Sequence, residues 1–375
     1  LLARQPGAPA PANAPPAAPG PGGALPPAAF DLLDAAWDGG QRDLYLQRAL
    51  PVARALVQGV DSVGKEGARL APAEARLLSR CARALEGAPA HPVDADELHA
   101  FRELAAAGHD RHAQMALGLW CARMRADGER TAAGASSANF KKAIRWLTLA
   151  GEQGLAQAWY ALSRIYIKPE FSQRNVVDAH RYLERAAEMG YRDAQLECGS
   201  SAWRARRENE TNDVRAVYWL QKAAAGGCPR AAAALRKIAP RGRAGACGGD
   251  TAALAARAGL AGHPLLAARL ELAALFHLSR AEALLLDVRL ADHGHCLVVD
   301  IRTSYGRSKR RLVLVESVAQ RHALDRIVRL FDKVDAGPGG PEGNYRQRLY
   351  RLRTLAAAAR PRQGAADGER YDLAA

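Results

Sequence analysis

At 375 residues, with 49% hydrophobic and 25% charged side chains, the chain has the composition of a folded globular protein. It is long enough for two or three domains, because single cores stop growing near ~250–300 residues. No segment offers the roughly 18 consecutive apolar residues that a membrane-crossing helix needs. The formal charge of +14 favours polyanions at low salt, either nucleic acid or an acidic membrane surface. An arginine-rich chain crowded with Ala, Gly and Pro also arises from compositional bias alone, so the charge does not choose between these readings.

The chain starts at Leu1-Leu2-Ala3 rather than at methionine, so an upstream signal or anchor is one expectation. Residues 1–29 are mostly Ala, Pro and Gly, cannot offset chain entropy by burial, and read as a disordered tail. From 30 to 107 the pattern is helical. Leu44, Leu46, Leu50, Leu56 and Val57 form one apolar set, Leu70, Leu77, Leu78, Cys81 and Leu85 a second, and Leu98, Phe101, Leu104 and Ala105 a third. Gly59, Gly64, Gly67, Pro89 and Pro92 punctuate them.

Three segments of the middle region are in register. They are Phe140–Gly154, Val177–Gly190 and Asp213–Gly227. Their alanines at 143, 179 and 216 are 36 and 37 residues apart, and the aromatics Trp146, Tyr182 and Trp219 keep that step. So do the glycines 154, 190 and 227. Four residues beyond each glycine stands Ala158, Ala194 or Ala231, and Ala113 opens an earlier helix of the same kind. The 113 to 158 step is 45 because a polar, Gly-rich insertion near 125–138 lengthens one loop. Small residues let two helices approach closely, and each glycine can end a helix in a left-handed conformation. One such pair cannot bury its own apolar face, so stacking must supply the core.

This pattern resembles the Sel1-like repeat family, relatives of the tetratricopeptide repeats, over residues 108–240. Ser163 stands where a glycine is usual, and the family's tyrosine is present only as Tyr166, with Cys121 and Ala202 elsewhere. The resemblance implies a mainly α fold, an α-solenoid of helix pairs, and a protein-interaction scaffold without catalytic residues. A partner protein or peptide would then lie in a groove lined by one face of each first helix. The helical period places Met115 and Leu119, then Tyr160, Arg164 and Ile167, then Leu196, Ser200 and Trp203 on that face. Packing between repeats is the competing role, above all for Ile167 and Leu196.

Residues 241–250 are Gly/Arg-rich and read as a linker to a small basic α+β domain at 251–360, with a disordered tail at 361–375. A helix runs through Leu265, Leu270, Leu272 and Phe276. Ser279 with Glu282 forms a capping box for the next helix. Two strands follow at Cys296–Ile301 and Leu312–Val315, then an amphipathic helix near 319–334 and a basic helix near 345–359. Residues 300–362 hold 15 Lys/Arg against 6 Asp/Glu, which is +9 of the +14. At the hairpin tip Arg302, Arg307, Lys309, Arg310 and Arg311 surround Tyr305 and could straddle a phosphate backbone, the alternative function being nucleic-acid binding. Basic residues also guard edge strands against aggregation. The order helix, hairpin and helix is faintly similar to a tyrosine recombinase half-domain, with Glu282 and Lys309 at matching places. That family's first catalytic arginine falls on Ser279, and its later His/Arg motif is missing.

Asp292, His293, His295 and Cys296 are metal-type ligands within five residues, but a strand start sends His295 and Cys296 to opposite faces, so a polar turn is the expectation. No cofactor motif is present, and neither GxSxG, P-loop nor HExxH occurs. The cysteines 81, 121, 198, 228, 247 and 296 form no CxxC pair. They read as small buried hydrophobes and favour a reducing compartment such as the cytoplasm, although Cys228 and Cys247 could pair across the linker.

Overall fold

The computed structural model describes residues 27–63, 70–87, 94–131, 138–241, 262–335, 337 and 339–358. Gly64, Gly67, Pro89, Pro92, Cys247, and nearly all of the N-terminal tail, the linker and the C-terminal tail lie outside them. The chain divides into two compact units, 1–194 and 195–375.

In the first unit eight helices follow one another: α1 (Pro27–Asp38), α2 (Arg42–Val63), α3 (Pro72–Glu86), α4 (Ala95–Ala107), α5 (Arg111–Cys121), α6 (Phe140–Glu152), α7 (Ala156–Tyr166) and α8 (Val176–Glu188). Each packs on the next along the chain from α1 to α8. Short polar side chains start several of them. Asp110 accepts from the backbone N–H of His112 and Ala113, Asn139 from Lys142, and Asn175 from Val177 and Asp178, satisfying donors that no helical carbonyl can reach.

The repeat register is written in one turn. Gly154, Gly190 and Gly227 have φ of 88°, 90° and 81°. The N–H groups of Leu155, Tyr191 and Cys228 reach back to the carbonyls of Ala150, Ala186 and Ala223 at 3.2, 3.0 and 3.0 Å. This is the Schellman arrangement, which satisfies helix-end carbonyls through a left-handed residue. The same turn ends α1 at Gly40, α4 at His109 and α5 at Arg123, with φ of 72°, 63° and 52°. The hairpin architecture therefore extends upstream of the segment in which the sequence shows a repeat.

Equivalent residues share equivalent surroundings. Ala143, Ala179 and Ala216 are buried, as are Leu147, Leu183 and Leu220, and Ala113, Ala158, Ala194 and Ala231. A Cβ on Gly118 would lie 2.7 Å from Leu147 Cγ, and one on Gly199 the same distance from Leu220 Cγ, so these helix pairs meet too closely for a side chain. Ser163 occupies the matching place in α7, where its buried hydroxyl donates to the carbonyl of Tyr160 at 2.7 Å. That bond explains how a polar residue substitutes for glycine at a packed helix contact.

The second unit contains most of α9 (Arg192–Arg204), then α10 (Thr211–Ala225), α11 (Pro229–Ile238), α12 (Pro264–Phe276), α13 (Arg280–Leu285), α14 (Val288–Ala291), β1 (Cys296–Val299), β2 (Arg311–Leu314), α15 (Val318–Phe331) and α16 (Tyr345–Ala358). The strands pair antiparallel with Cys296 opposite Leu314 and Val299 opposite Arg311. All four β1 residues are buried, and strand alternation explains why. Cys296 and Val298 pack with Val217 and Leu220 of α10, Cys228 just before α11 and Leu235 of α11. Leu297 and Val299 pack with Leu272, Phe276, Leu324 and Ile327 of α12 and α15. The hairpin is thus sandwiched between the last repeat helices and the C-terminal helices.

A buried ion pair closes the end of this unit. Arg269 holds Glu342 through two hydrogen bonds of 2.7 and 2.6 Å and donates to the carbonyls of Ala283 and Leu286. Arg348 adds a bond to the carbonyl of Leu284 at 2.7 Å. A Cβ added at Gly190 meets nothing within 4 Å, so Gly190→Ala isolates backbone strain from steric overlap. We expect it to lower unfolding stability by about 1–2 kcal/mol, the left-handed penalty of an L-residue, in urea melts followed by circular dichroism. An unchanged midpoint would contradict the role assigned to this turn.

Candidate functional site

The face mapped from the repeat period is differently exposed along its length. In the first unit Met115 and Tyr160 are each 7% exposed, Leu119 and Arg164 half-buried, and Ile167 39% exposed. Tyr160 packs against Tyr191 with ring centroids 5.1 Å apart. The start of the polar insertion forms a small hairpin through a bridge between Met124 and Arg130, and it leans on this face. A Cβ on Gly128 would lie 2.8 Å from Arg164 Nε, and Lys168 Nζ donates to the Gly128 carbonyl at 3.4 Å. The described start of the insertion therefore covers Arg164, while Ile167 stays exposed.

Trp120 is one exposed aromatic that the sequence did not single out. It is 42% exposed, lies against His99 at 4.3 Å between ring centroids, and carries the Arg123 guanidinium 4.9 Å from its ring. Its neighbour Leu119 is on the mapped face, and adjacency to that face was the signal available. Deeper in the unit, Trp159 stacks on Tyr182 at 5.6 Å and donates to the Gly151 carbonyl at 3.0 Å. Tyr166, Tyr182, Phe171 and Phe140 continue the aromatic contacts across α6, α7 and α8, which gives the repeat aromatics a packing role.

In the second unit Leu196 and Trp203 are half-buried against the core of α10, α11 and the hairpin. Arg206 lies 4.3 Å from the Trp203 ring, and Ser200 is half-buried beside them on α9.

The hairpin cations fall into two groups. Arg310 grips Asp213 with bonds of 2.9 and 3.0 Å, Arg311 grips Glu282 with 2.7 and 2.8 Å, and Arg302 binds Asp300 and Glu210 at 2.6 and 3.0 Å. These arginines fasten the hairpin to α10 and α13. Arg307 and Lys309 are exposed and have no hydrogen-bond or ion-pair partner among the described residues. Tyr305 stands beside Tyr345 with centroids 6.2 Å apart. Glu282, which the recombinase resemblance singled out, also accepts from the Ser279 backbone N–H at 2.7 Å, so its carboxylate caps a helix and anchors a strand.

The Asp292–Cys296 segment is a turn built by hydrogen bonds. Asp292 accepts from both Arg321 terminal nitrogens at 2.8 and 2.6 Å and from the Gly294 N–H. His295 Nε2 lies 3.0 Å from the Val214 carbonyl, which fixes the proton on that nitrogen because a carbonyl can only accept. Cys296 packs into the core of α10 and α11, so it and His295 both lie against α10 rather than on opposite sides of the strand start. Burial pushes the thiols of Cys81 and Cys296 up to about 12, which keeps them protonated and poor nucleophiles. Cys121, Cys198 and Cys228 are buried as well.

These elements define a helical-hairpin repeat protein with a C-terminal α+β segment. The repeats are Sel1 repeats: the Sel1 repeat model matches residues 111–155, 155–191 and 210–228. Such proteins generally act as protein-interaction scaffolds, and their fold is typically non-enzymatic. Among solved structures, a Sel1 repeat protein from Oxalobacter formigenes is 18% identical, with a TM-score of 0.37, over 56% of this chain and 89% of that one. Another similar structure is c5321, a protective antigen present in uropathogenic Escherichia coli strains and displaying an SLR fold. It is 18% identical with a TM-score of 0.40, over 88% of this chain and 60% of that one. No curated protein matches the chain.

Three carboxylates link the second unit to acid. Burial raises Glu282, but hydrogen bonds from Arg311 and Ser279 outweigh it and hold the group below its ordinary value. Asp292 follows the same pattern with Arg321 and Gly294, and Arg302 lowers Asp300. Each has a folded pKa below its unfolded one, so its stabilisation is present at neutral pH and lost as pH falls through the folded pKa. Thermal melts should show this unit losing stability below about pH 4.5, with a shallower slope in Glu282→Gln. A melting point independent of acid over that range would overturn the assignment.

Proposed function

We propose that this chain is a non-enzymatic scaffold whose Sel1 repeats hold a protein or peptide along the first helices of the repeats. The observation that supports it most is the pair Trp120 and Ile167, exposed large apolar side chains at the C-terminal ends of α5 and α7. Consecutive repeats thereby present an aromatic and an aliphatic anchor to solvent, with Arg123 and Arg164 nearby, while most of the apolar repeat positions are spent on stacking. Aromatic and arginine side chains are the ones that dominate interface energies.

The test is a pull-down with the tagged full chain and with Trp120→Ser/Ile167→Ser, followed by affinity measurement on the captured protein. Surface changes of this kind shift stability by only about 0.5 kcal/mol, so the variant stays folded. Loss of two anchors should weaken binding about 30-fold or more, as hot-spot residues do. Equal capture by both chains refutes the groove.

A second contact, to nucleic acid, draws on Arg307 and Lys309 at the hairpin tip, two cations that follow Tyr305 and have no partner among the described residues. A salt-titrated shift assay compares the full chain with Arg307→Ala/Lys309→Ala. Binding at ~50 mM salt, lost in the variant, supports it, because released counterions make such binding salt-dependent. Identical behaviour of the two chains removes it.

A further inference from the structure

A cavity of about 330 Å³ opens in the first unit among α1, α3 and the start of α5, lined by Trp37, Arg76, Ser79, Arg80, Arg83, Asp110, Arg111 and His112. Positions 76, 79, 80 and 83 share one face of α3 by helical spacing. The Arg42 guanidinium stands 3.6 Å from the Trp37 ring centroid, and those of Arg80 and Arg83 both stand at 5.2 Å. A volume of this size matches the lower end of small-molecule pockets, about 300–1,000 Å³.

The charges here do not close within the protein. Asp34 pairs with Arg76 and Arg80, and Asp38 lies 4.0 Å from Arg80. Asp110 Oδ1 accepts from the backbone N–H groups of His112 and Ala113. Five arginines (42, 76, 80, 83 and 111) thus face three aspartates (34, 38 and 110), an excess of two positive charges that Glu86, near Arg83 but paired with Arg102, leaves unchanged. Arg83 has no hydrogen-bond or ion-pair partner among the described residues. Burial, then the neighbouring Arg42 and Arg80, lower its pKa. Burial and Arg83 likewise depress His112. Ser79 is 2% exposed and lines the cavity. Four arginines line this one cavity, and Arg83 and Arg111 reach solvent at its mouth. One bound anion offsets the local excess of positive charge.

We propose that this cavity binds a phosphate group, held by Arg83, Arg111 and Ser79 beside Trp37. Phosphate fits better than a carboxylate for two reasons. An ester phosphate carries about −1.5 to −2 charges at neutral pH and three acceptor oxygens, against the single charge and two oxygens of a carboxylate. Arginine's planar fork also pairs with two phosphate oxygens at once. The site is independent of the surface near Trp120 and Ile167, so the two proposals fail separately.

The experiment is a thermal-shift titration of the full chain with inorganic phosphate and O-phosphoserine, against acetate and chloride at matched ionic strength. Saturable stabilisation by the phosphate probes, absent with acetate, is expected from binding to the folded state. Stronger stabilisation by phosphoserine assigns an ester-borne phosphate, and an equal or larger shift with inorganic phosphate assigns the free anion; both uphold the pocket. Arg83→Met keeps the aliphatic stem and removes the unpaired charge, so without ligand it should melt at or above the native temperature while losing the phosphate shift. Ser79→Ala should raise Kd about 10-fold or more, the loss of a hydrogen bond to a charged group. No saturable shift, an equal shift with acetate, or an undiminished shift in Arg83→Met overturns the proposal.

Discussion

A pair of helices of eleven to thirteen residues cannot bury its apolar stripe by itself, and the rest of the structure follows from that deficit. Each pair must lean on the next, so the angle at which one helix hands over to another has to repeat. The left-handed turn at Gly154, Gly190 and Gly227 sets that angle with the same backbone hydrogen bonds each time. Ala143, Ala179 and Ala216 then sit at positions where the neighbouring helix leaves little room. His109 and Arg123 adopt the same turn without glycine, which shows that stacking outweighs the local strain of a side chain there.

Positive charge is distributed by function rather than spread over a surface. In the second unit most basic side chains of the hairpin region act as fasteners: Arg310 to Asp213, Arg311 to Glu282, Arg321 to Asp292 and the buried Arg269 to Glu342. Each tethers a loop or strand to a helix at a distance in sequence. The short two-stranded sheet could not stand alone, and these bonds together with its two packed faces hold it. At the first unit's cavity the opposite holds, because Arg83 stands near other cations and among the described residues no carboxylate is hydrogen-bonded to it. The same residue type therefore serves as a clamp in one unit and as an unsatisfied charge in the other, and only the partners tell them apart.

Much of the architecture was legible in the residues. The 36- and 37-residue steps, the terminal glycines and the buried alanines gave the repeats. The Ser279 and Glu282 capping box, both strands and the last two helices appear where the patterns place them, with ends shifted by at most three residues. The hairpin turns at Gly40 and His109 were not legible, because His109 lacks the glycine signature and the upstream helices share no fixed period. Trp120 was missed because period alone assigns faces, and exposure depends on what the neighbouring helices leave uncovered.

Local sequence decided whatever depends on one helix and its ends: periodicity, caps, small residues at close contacts and the glycine that terminates each second helix. Tertiary structure decided which side chains pair and which stay open. That the insertion covers Arg164, that Cys296 and Leu297 face different cores, that three hairpin arginines are spent on carboxylates, and that Arg83 and Arg111 meet at one cavity all join residues far apart in the chain. Such pairings arise from the packing of whole elements, whose relative placement no local pattern encodes.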